Sequence, residues 1–158
     1  MNDGIGKKAE LKIREWLNRP EDGYCFDRLP DQLSGFYGSK NICDFTLFKS
    51  PNFYYIESKA TYDDRFEFNR ISEYQYNHLL EKSKIENVFG LIIVLFVTYK
   101  RAFIFHIEDI DDYQKEYNKK SLNITKIDKW QIRYKEIKTI DNNRKLFLDY
   151  VGEIEDYV

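Results

Sequence analysis

Asp44, Glu57 and Lys59 are the residues whose types and spacing are suited to chemistry, and they share one stretch, ICDFTLFKSPNFYYIESKA, residues 42–60. Aromatic and β-branched runs, Phe45-Thr46-Leu47-Phe48 and Phe53-Tyr54-Tyr55-Ile56, favour strands on either side of Ser50-Pro51. Proline fixes φ and favours the second position of a turn, so the two strands are expected to fold back as a hairpin. Folding about Ser50-Pro51 pairs residues whose numbers sum to 101, which sets Phe48 against Phe53 and Asp44 against Glu57. Lys59 is two residues beyond Glu57 and points to the same face. Two carboxylates then lie within about 5 Å at Cβ, with an ammonium beside them. Like charges set opposite each other destabilise a sheet. A sequence serving the fold alone would avoid the pairing, whereas a divalent metal site requires it. Carboxylate oxygens are hard ligands that suit Mg²⁺ or Mn²⁺ and not zinc.

The Glu-x-Lys triplet by itself is cheap in a chain that is 33% charged. It occurs at Glu10-Leu11-Lys12, Glu57-Ser58-Lys59 and Glu136-Ile137-Lys138. The first falls in a helical pattern, where positions two apart do not face each other. The third lacks an upstream acid on a paired strand. Only the middle copy has an aspartate across a hairpin and an apolar strand behind it.

The elements that must hold these residues follow from periodicity. Residues 4–18 read as a helix with Ala9, Ile13, Trp16 and Leu17 on one face, capped by Asn2 or Asp3 and ended by Pro20. Glu10, one position from Ala9, either looks toward a site at the edge of the core or is a solvated helix glutamate. Tyr24 to Arg28 reads as a short strand, and Leu29 to Asn41, with Pro30, Gly35 and Gly38, as a loop. Phe66 and Phe68 flank Glu67 in a short extended piece. Ile71 to Lys84 is expected to be a second helix, with Ile71, Tyr74, His78, Leu79 and Leu80 as its apolar side and Asn69 or Ser72 as its cap. Gln75 lies in its first half. Asn87 to Val97 is the most apolar run and suits a buried strand, with Ala102 to Ile107 as its neighbour. Glu108 to Asn118 reads as a polar helix and residues 119–130 as a loop. Trp130 to Ile140 reads as an outer strand, Asn142-Asn143 as a turn, and Leu146 to Val151 as a last short element. Helices and strands in this order predict a mixed α/β fold, a central sheet with helices packed on it, in one domain spanning 1–158.

Bulk properties narrow the function class. No apolar run of 18 residues exists, and the start MNDGIGKKAELK lacks an apolar signal segment, so the expectation is an intracellular chain with no membrane partner. Cys25 and Cys43 are too few for a disulfide framework; Cys43, next to Asp44, is expected to turn inward. His78 and His106 fall among core-type residues and read as packing. The net charge is −2, yet residues 115–145 hold ten Lys or Arg and four acids, a net +6 against −8 for the rest. That distribution suits either a phosphate backbone lying over an acidic site or an ordinary solvated surface.

Asp44 followed by Glu57-Ser58-Lys59 at a strand end resembles the PD-(D/E)XK nuclease signature, with Cys43 where proline is usual. A preceding helix with Glu10 and a following helix with Gln75 match the order of that fold. More narrowly, SGFYGSKNICDFTLF, FYYIESKAT, FEFNRISEYQYNHL and the apolar strand near Gly90 are similar to RecU-type Holliday junction resolvases, including phage-encoded forms. The resemblance implies a restriction-endonuclease-like fold and a Mg²⁺-dependent DNA endonuclease, with Mn²⁺ as a substitute. Asp44, Glu57 and the backbone carbonyl of Ser58 would hold the metal. A metal-acidified water would attack the phosphorus, with Lys59 orienting or helping to deprotonate it and offsetting transition-state charge. Glu10 would hold a water or a second ion. Gln75 would steady the site or the scissile phosphate, unless it is a polar helix-surface residue. Lys7, Lys8 and Lys40 are the candidate nucleic-acid contacts.

Three readings stay open. The first is a homodimer making paired nicks in four-way junctions during recombination and repair, in the cytoplasm of a bacterial cell or a phage-infected host. The second is a duplex-directed restriction or repair nuclease, because the segment between Gly23 and Asn41 is shorter than the projecting stalk of family members. The third is a nucleic-acid-binding domain without catalysis.

Overall fold

Helices enclose a six-stranded sheet from both faces. The computed structural model describes residues 3–30, 40–142, 145–148, 154 and 157. The first helix, α1, spans Asp3–Leu17, and β1 follows at Cys25–Arg28. A hairpin of β2, Phe45–Lys49, and β3, Asn52–Thr61, comes next, then β4 at Arg65–Glu67, α2 at Glu73–Ser83 and β5 at Val88–Phe96. The chain continues with β6, Arg101–His106, α3, Ile107–Tyr117, β7, Ser121–Asn123, and β8, Lys135–Ile137. It closes with β9, Thr139–Asn142, and β10, Lys145–Leu148, which pair with each other. The main sheet runs β1-β2-β3-β5-β6-β8. Within it β3 and β5 are parallel and every other neighbouring pair is antiparallel. This is a mixed α/β architecture, a central sheet with helices packed on it, as the order of elements predicts.

Strand alternation divides the core in two. On one face Tyr54, Ile56 and Ala60 of β3 meet Ala9, Ile13, Trp16 and Leu17 of α1. On the other face Ile92, Val94 and Phe96 of β5 meet Leu79 of α2 and Ile107 and Ile110 of α3. Buried on both sides, β5 is apolar along nearly its whole length, as a central strand must be. Helix α2 approaches it closely through Gly90. A Cβ there would meet the Leu79 carbonyl oxygen and Ile107 Cγ2 at 3.0 Å and Ser83 Oγ at 2.9 Å. The same approach lets the Gly90 N–H donate to Ser83 Oγ at 2.8 Å.

Several expectations need correction. Pro51 takes the third position of its turn, with a cis peptide after Ser50, not the second. Residues 119–130 are not all loop: β7 pairs with β4, and a 3-10 segment covers Ile124–Lys129. Only Lys135–Ile137 of the expected outer strand pairs with β6. Trp130 and Tyr134 instead turn their rings into an aromatic cluster with Phe103 and Phe105, and the Trp130 indole donates to the Asn123 carbonyl. α2 starts at Glu73, after the buried Ile71, and Leu79 is its deeply buried residue. His78 is not core: its side chain is 38% exposed, beside Tyr74 and Glu81. His106 is buried, and burial pushes its pKa down to about 4. Asn2 and Asn143 lie outside the described residues, as do Gly35 and Gly38 of the loop. The last element is described only as Lys145–Leu148. Among the described residues no helix is long and apolar enough to cross a membrane.

Candidate active site

The site is built where β2 stops and β3 continues. Phe48 faces Phe53, Phe45 faces Ile56 and Lys49 faces Asn52, so the hairpin is centred on Ser50-Pro51 as the residue types predict. That register breaks at Asp44. The Asp44 N–H donates to the Ile56 carbonyl at 3.0 Å, so Asp44 and Phe45 both address Ile56, and Asp44 stands outside the ladder in place of pairing squarely with Glu57. Two residues against one is the pattern of a β-bulge. The Asp44 carbonyl still accepts from Leu29 on the β1 side, at 2.8 Å. The displacement relieves a direct face-off of like charges. It also turns the Asp44 carboxylate onto the backbone of β3, where Oδ2 accepts from the Ser58 N–H at 2.7 Å.

Glu57 and Lys59 share a face of β3, and Lys59 Nζ donates to Glu57 Oε1 at 2.6 Å. Glu57 is only 2% exposed, and its second oxygen, Oε2, has no hydrogen-bond partner among the described residues. A buried carboxylate with one satisfied oxygen and one orphaned oxygen is costly unless a cation completes it. Burial first, and the Glu57 charge second, push the Asp44 pKa up to about 7 against the pull of the Ser58 N–H. Burial also raises Glu57, opposed by the Lys59 ammonium and its hydrogen bond. Burial thus disfavours the charged form of both carboxyls, and nearby positive charge favours it. Cys43 is buried as expected, its thiol pushed up to about 12 by burial, and donates to the Phe45 carbonyl.

Glu10 and Gln75 come to the same place from opposite faces of the sheet. The charge of Glu10 raises both Asp44 and Glu57, so it lies within electrostatic reach of each. Its Oε2 is held by Arg28 of β1, at 2.8 Å from Nη2 and 3.2 Å from Nε. Gln75 is the third residue of α2 and completes a capping box with Ser72. Its N–H donates to Ser72 Oγ at 3.2 Å, and its Oε1 accepts from the Ser72 N–H at 3.3 Å. With the amide oxygen committed to the cap, its nitrogen end is what favours the ionised form of Glu57. The contact falls short of full hydrogen-bond geometry, since Oε2 stays unpaired.

Lys7 and Lys8 are exposed on α1 and Lys40 is exposed ahead of β2; none takes part in the acidic cluster. Part of the charge of the basic run 115–145 is engaged in surface ion pairs, Lys115 with Asp111 and Arg133 with Asp109. Arg28 is the participant that sequence reasoning missed. It joins Glu10 across eighteen positions, and no local pattern announces such a contact.

The donor set fits a hard divalent cation. Among the described residues no cluster of three or more His, Cys, Asp and Glu forms a ready metal cage. Two carboxylates and a carbonyl are the kind of hard oxygen set that Mg²⁺ uses. N–H and C=O of one strand residue point to the same side, so the Ser58 carbonyl shares the Asp44 side of β3, past the point where β2 ends.

Comparison with known proteins agrees with the sequence resemblance. No curated protein matches the sequence. Among solved structures, that of Hjc, a Holliday junction resolvase from the archaeal hyperthermophile Archaeoglobus fulgidus, is similar with a TM-score of 0.47 and 13% identity, over 65% of this chain and 78% of that one. The family described as Recombination protein U matches residues 30–156. That span is most of the sequence, and the chain belongs to the RecU family.

Proposed function

We propose that this chain is a divalent-metal-dependent endonuclease that resolves four-way DNA junctions, acting as a homodimer that makes paired nicks. The observation that carries the reading is the pair of a half-buried Asp44 and a buried Glu57, set where β2 ends, with one orphaned oxygen and an adjacent ammonium. Membership of the RecU family supports the junction as substrate. A cytoplasmic location, in a bacterial cell or a phage-infected host, goes with it.

In this reading Asp44, Glu57 and the Ser58 carbonyl hold Mg²⁺, or Mn²⁺ in its place. The bound ion supplies charge neutralisation at the phosphate and acidifies a water. Lys59 keeps Glu57 ionised through its 2.6 Å hydrogen bond and offers a proton-bearing group beside the phosphate. Gln75 steadies Glu57 from α2, and Glu10, steered by Arg28, orders water on the far side of Asp44. Lys7, Lys8 and Lys40 contact the DNA backbone away from the chemistry.

The test is cleavage of a synthetic four-way junction and of a linear duplex, with Mg²⁺ and with chelator. Junction cleavage in Mg²⁺ alone is expected. Asp44→Ala and Glu57→Ala are expected to lose cleavage by at least about a thousandfold, the scale on which removing a principal charge stabiliser acts, while still binding the junction. Failure of the parent protein to cut either substrate would sink the reading. Cutting of duplex without junction preference would favour a restriction or repair role, a reading kept by the short connection between β1 and β2.

A further inference from the structure

We propose that the cleft beyond the end of β3 holds the nucleotide next to the scissile phosphate, with Arg70 on that nucleotide's phosphate and Tyr62 against its base. The inference rests on the nuclease reading of Asp44, Glu57 and Lys59 and adds residues to it.

The argument starts from the open edge of β3. Strand β2 ends at Phe45, opposite Ile56, so among the described residues no strand pairs with the rest of β3 on that side. Ser58 and Ala60 turn their backbone groups outward there, because alternate residues of a strand address alternate sides. The Ser58 N–H is taken by Asp44. The Ala60 carbonyl accepts from Arg70 Nη2 at 2.7 Å. Asp44 and Arg70 are therefore tied to one edge, two residues apart, a step of roughly 7 Å along the strand. Consecutive phosphates of a nucleic-acid strand are separated by a similar step. A strand whose scissile phosphate sits at Asp44 and Glu57 brings the adjacent phosphate to Arg70.

The cleft itself measures about 600 Å³ and opens directly past Ala60 and Thr61. Arg65 and Arg70 contribute its positive charges, against Asp63, Asp64 and Glu67. Asp64 is turned aside, with its Oδ2 accepting from Asn123 Nδ2 at 3.1 Å and its carbonyl accepting from Ile124. With acids so close, a phosphate enters only where a guanidinium is fixed in place. Arg70 is fixed, by the Ala60 carbonyl and by the Phe66 ring 5.7 Å below its Cζ. Its partners are that carbonyl and that ring, and its planar fork suits a phosphate. Tyr62 stands on the rim, 57% exposed, on backbone held by Thr98 Oγ1 at 2.7 Å from the Tyr62 carbonyl. An exposed ring lining the same cleft as an anchored arginine suits an unstacked base and its phosphate.

The experiment is a binding titration of a labelled four-way junction over a range of salt, with Ca²⁺ replacing Mg²⁺. It compares the parent chain with Arg70→Gln, Arg70→Lys, Tyr62→Ala and Tyr62→Phe. Arg70→Gln keeps an N–H donor for Ala60 and loses the charge. It is expected to weaken binding about tenfold and to lower the slope of log affinity against log salt by about one, with an unchanged melting temperature. Arg70→Lys is expected to regain the slope. Tyr62→Ala is expected to lose about tenfold with the slope kept, and Tyr62→Phe to regain the affinity. The proposal is overturned if Arg70→Gln keeps the parental slope, if Gln and Lys lose affinity equally, or if Phe fails where Ala fails. A parent chain that shows these responses yet cuts nothing in Mg²⁺ would remove the nuclease reading and leave the nucleotide subsite standing.

Discussion

Asp44 is where burial and repulsion are most in tension. Its pKa is pushed up to about 7, by burial first and by Glu57 second. Between the ordinary carboxylate range and about 7 the folded protein binds more protons here than the unfolded chain does. The slope of stability with pH then has a negative sign, so stability is present in full below that window and is lost as pH rises through it. Asp44→Asn keeps an oxygen for the Ser58 N–H and removes the charge. In the absence of metal the variant is expected to match the parent near pH 4 and to melt higher at pH 8, by about 2–4 °C for each kcal/mol recovered at this chain length. Thermal unfolding at the two pH values checks it, and a difference that does not grow with pH would refute the origin assigned to the shift. Added Mg²⁺ is expected to narrow the gap by stabilising the parent alone. Asp44, Glu57 and Lys59 were legible in the sequence because strand alternation and a hairpin bring them together by local rules. The Arg28 contact to Glu10 was not, because it depends on how α1 lies across β1.

At the scale of elements, the hairpin register could be read from Ser50-Pro51 and its flanking runs, but the bulge at Asp44 could not. A bulge costs one residue of pairing and leaves no compositional mark here, since Asp44 is neither a glycine nor a residue of the flanking apolar runs. The cap of α2 was legible only as a choice between Asn69 and Ser72, and the structure gives Ser72, in a capping box with Gln75. The commitment of the Gln75 oxygen to that cap emerges only when the helix is built. Residues 119–140 misled the reading because aromatic alternation there serves a ring cluster and not a ladder. Helix α2 packs closely on β5 at Gly90, a residue whose hydrogen-sized side chain leaves room for the approach. Gly90→Ala is expected to cost about 1–3 kcal/mol through overpacking against the Leu79 backbone. Denaturant unfolding measures it, and an unchanged midpoint would show that α2 shifts outward freely. The same shift would move Gln75, so weakened metal binding is expected to accompany the loss.

At the scale of the molecule, two layers of helix supply different halves of the site. Glu10 comes from α1 on one face and Gln75 from α2 on the other, and both influence carboxylates at the sheet's edge. The layered order was legible because β5 is apolar throughout and α1 is apolar on one face only. Which face each helix takes was not, since periodicity carries no direction. One chain carries one such site, whereas paired nicks on a twofold-symmetric junction need two. A mass near twice the 19.2 kDa of the chain is therefore expected by sedimentation, in the absence of DNA. A monomer that stays monomeric on the junction would exclude symmetric paired cleavage. The hydrogen bond between the Ser58 N–H and Asp44 has a wider consequence. It ties one main-chain amide to the charge of Asp44, a carboxylate of the proposed site, so the amide resonance of Ser58 is a built-in gauge of that site. Proton uptake, cation loading and arrival of a DNA strand each change what that amide feels, and a single nuclear-magnetic-resonance signal can follow all three without a turnover.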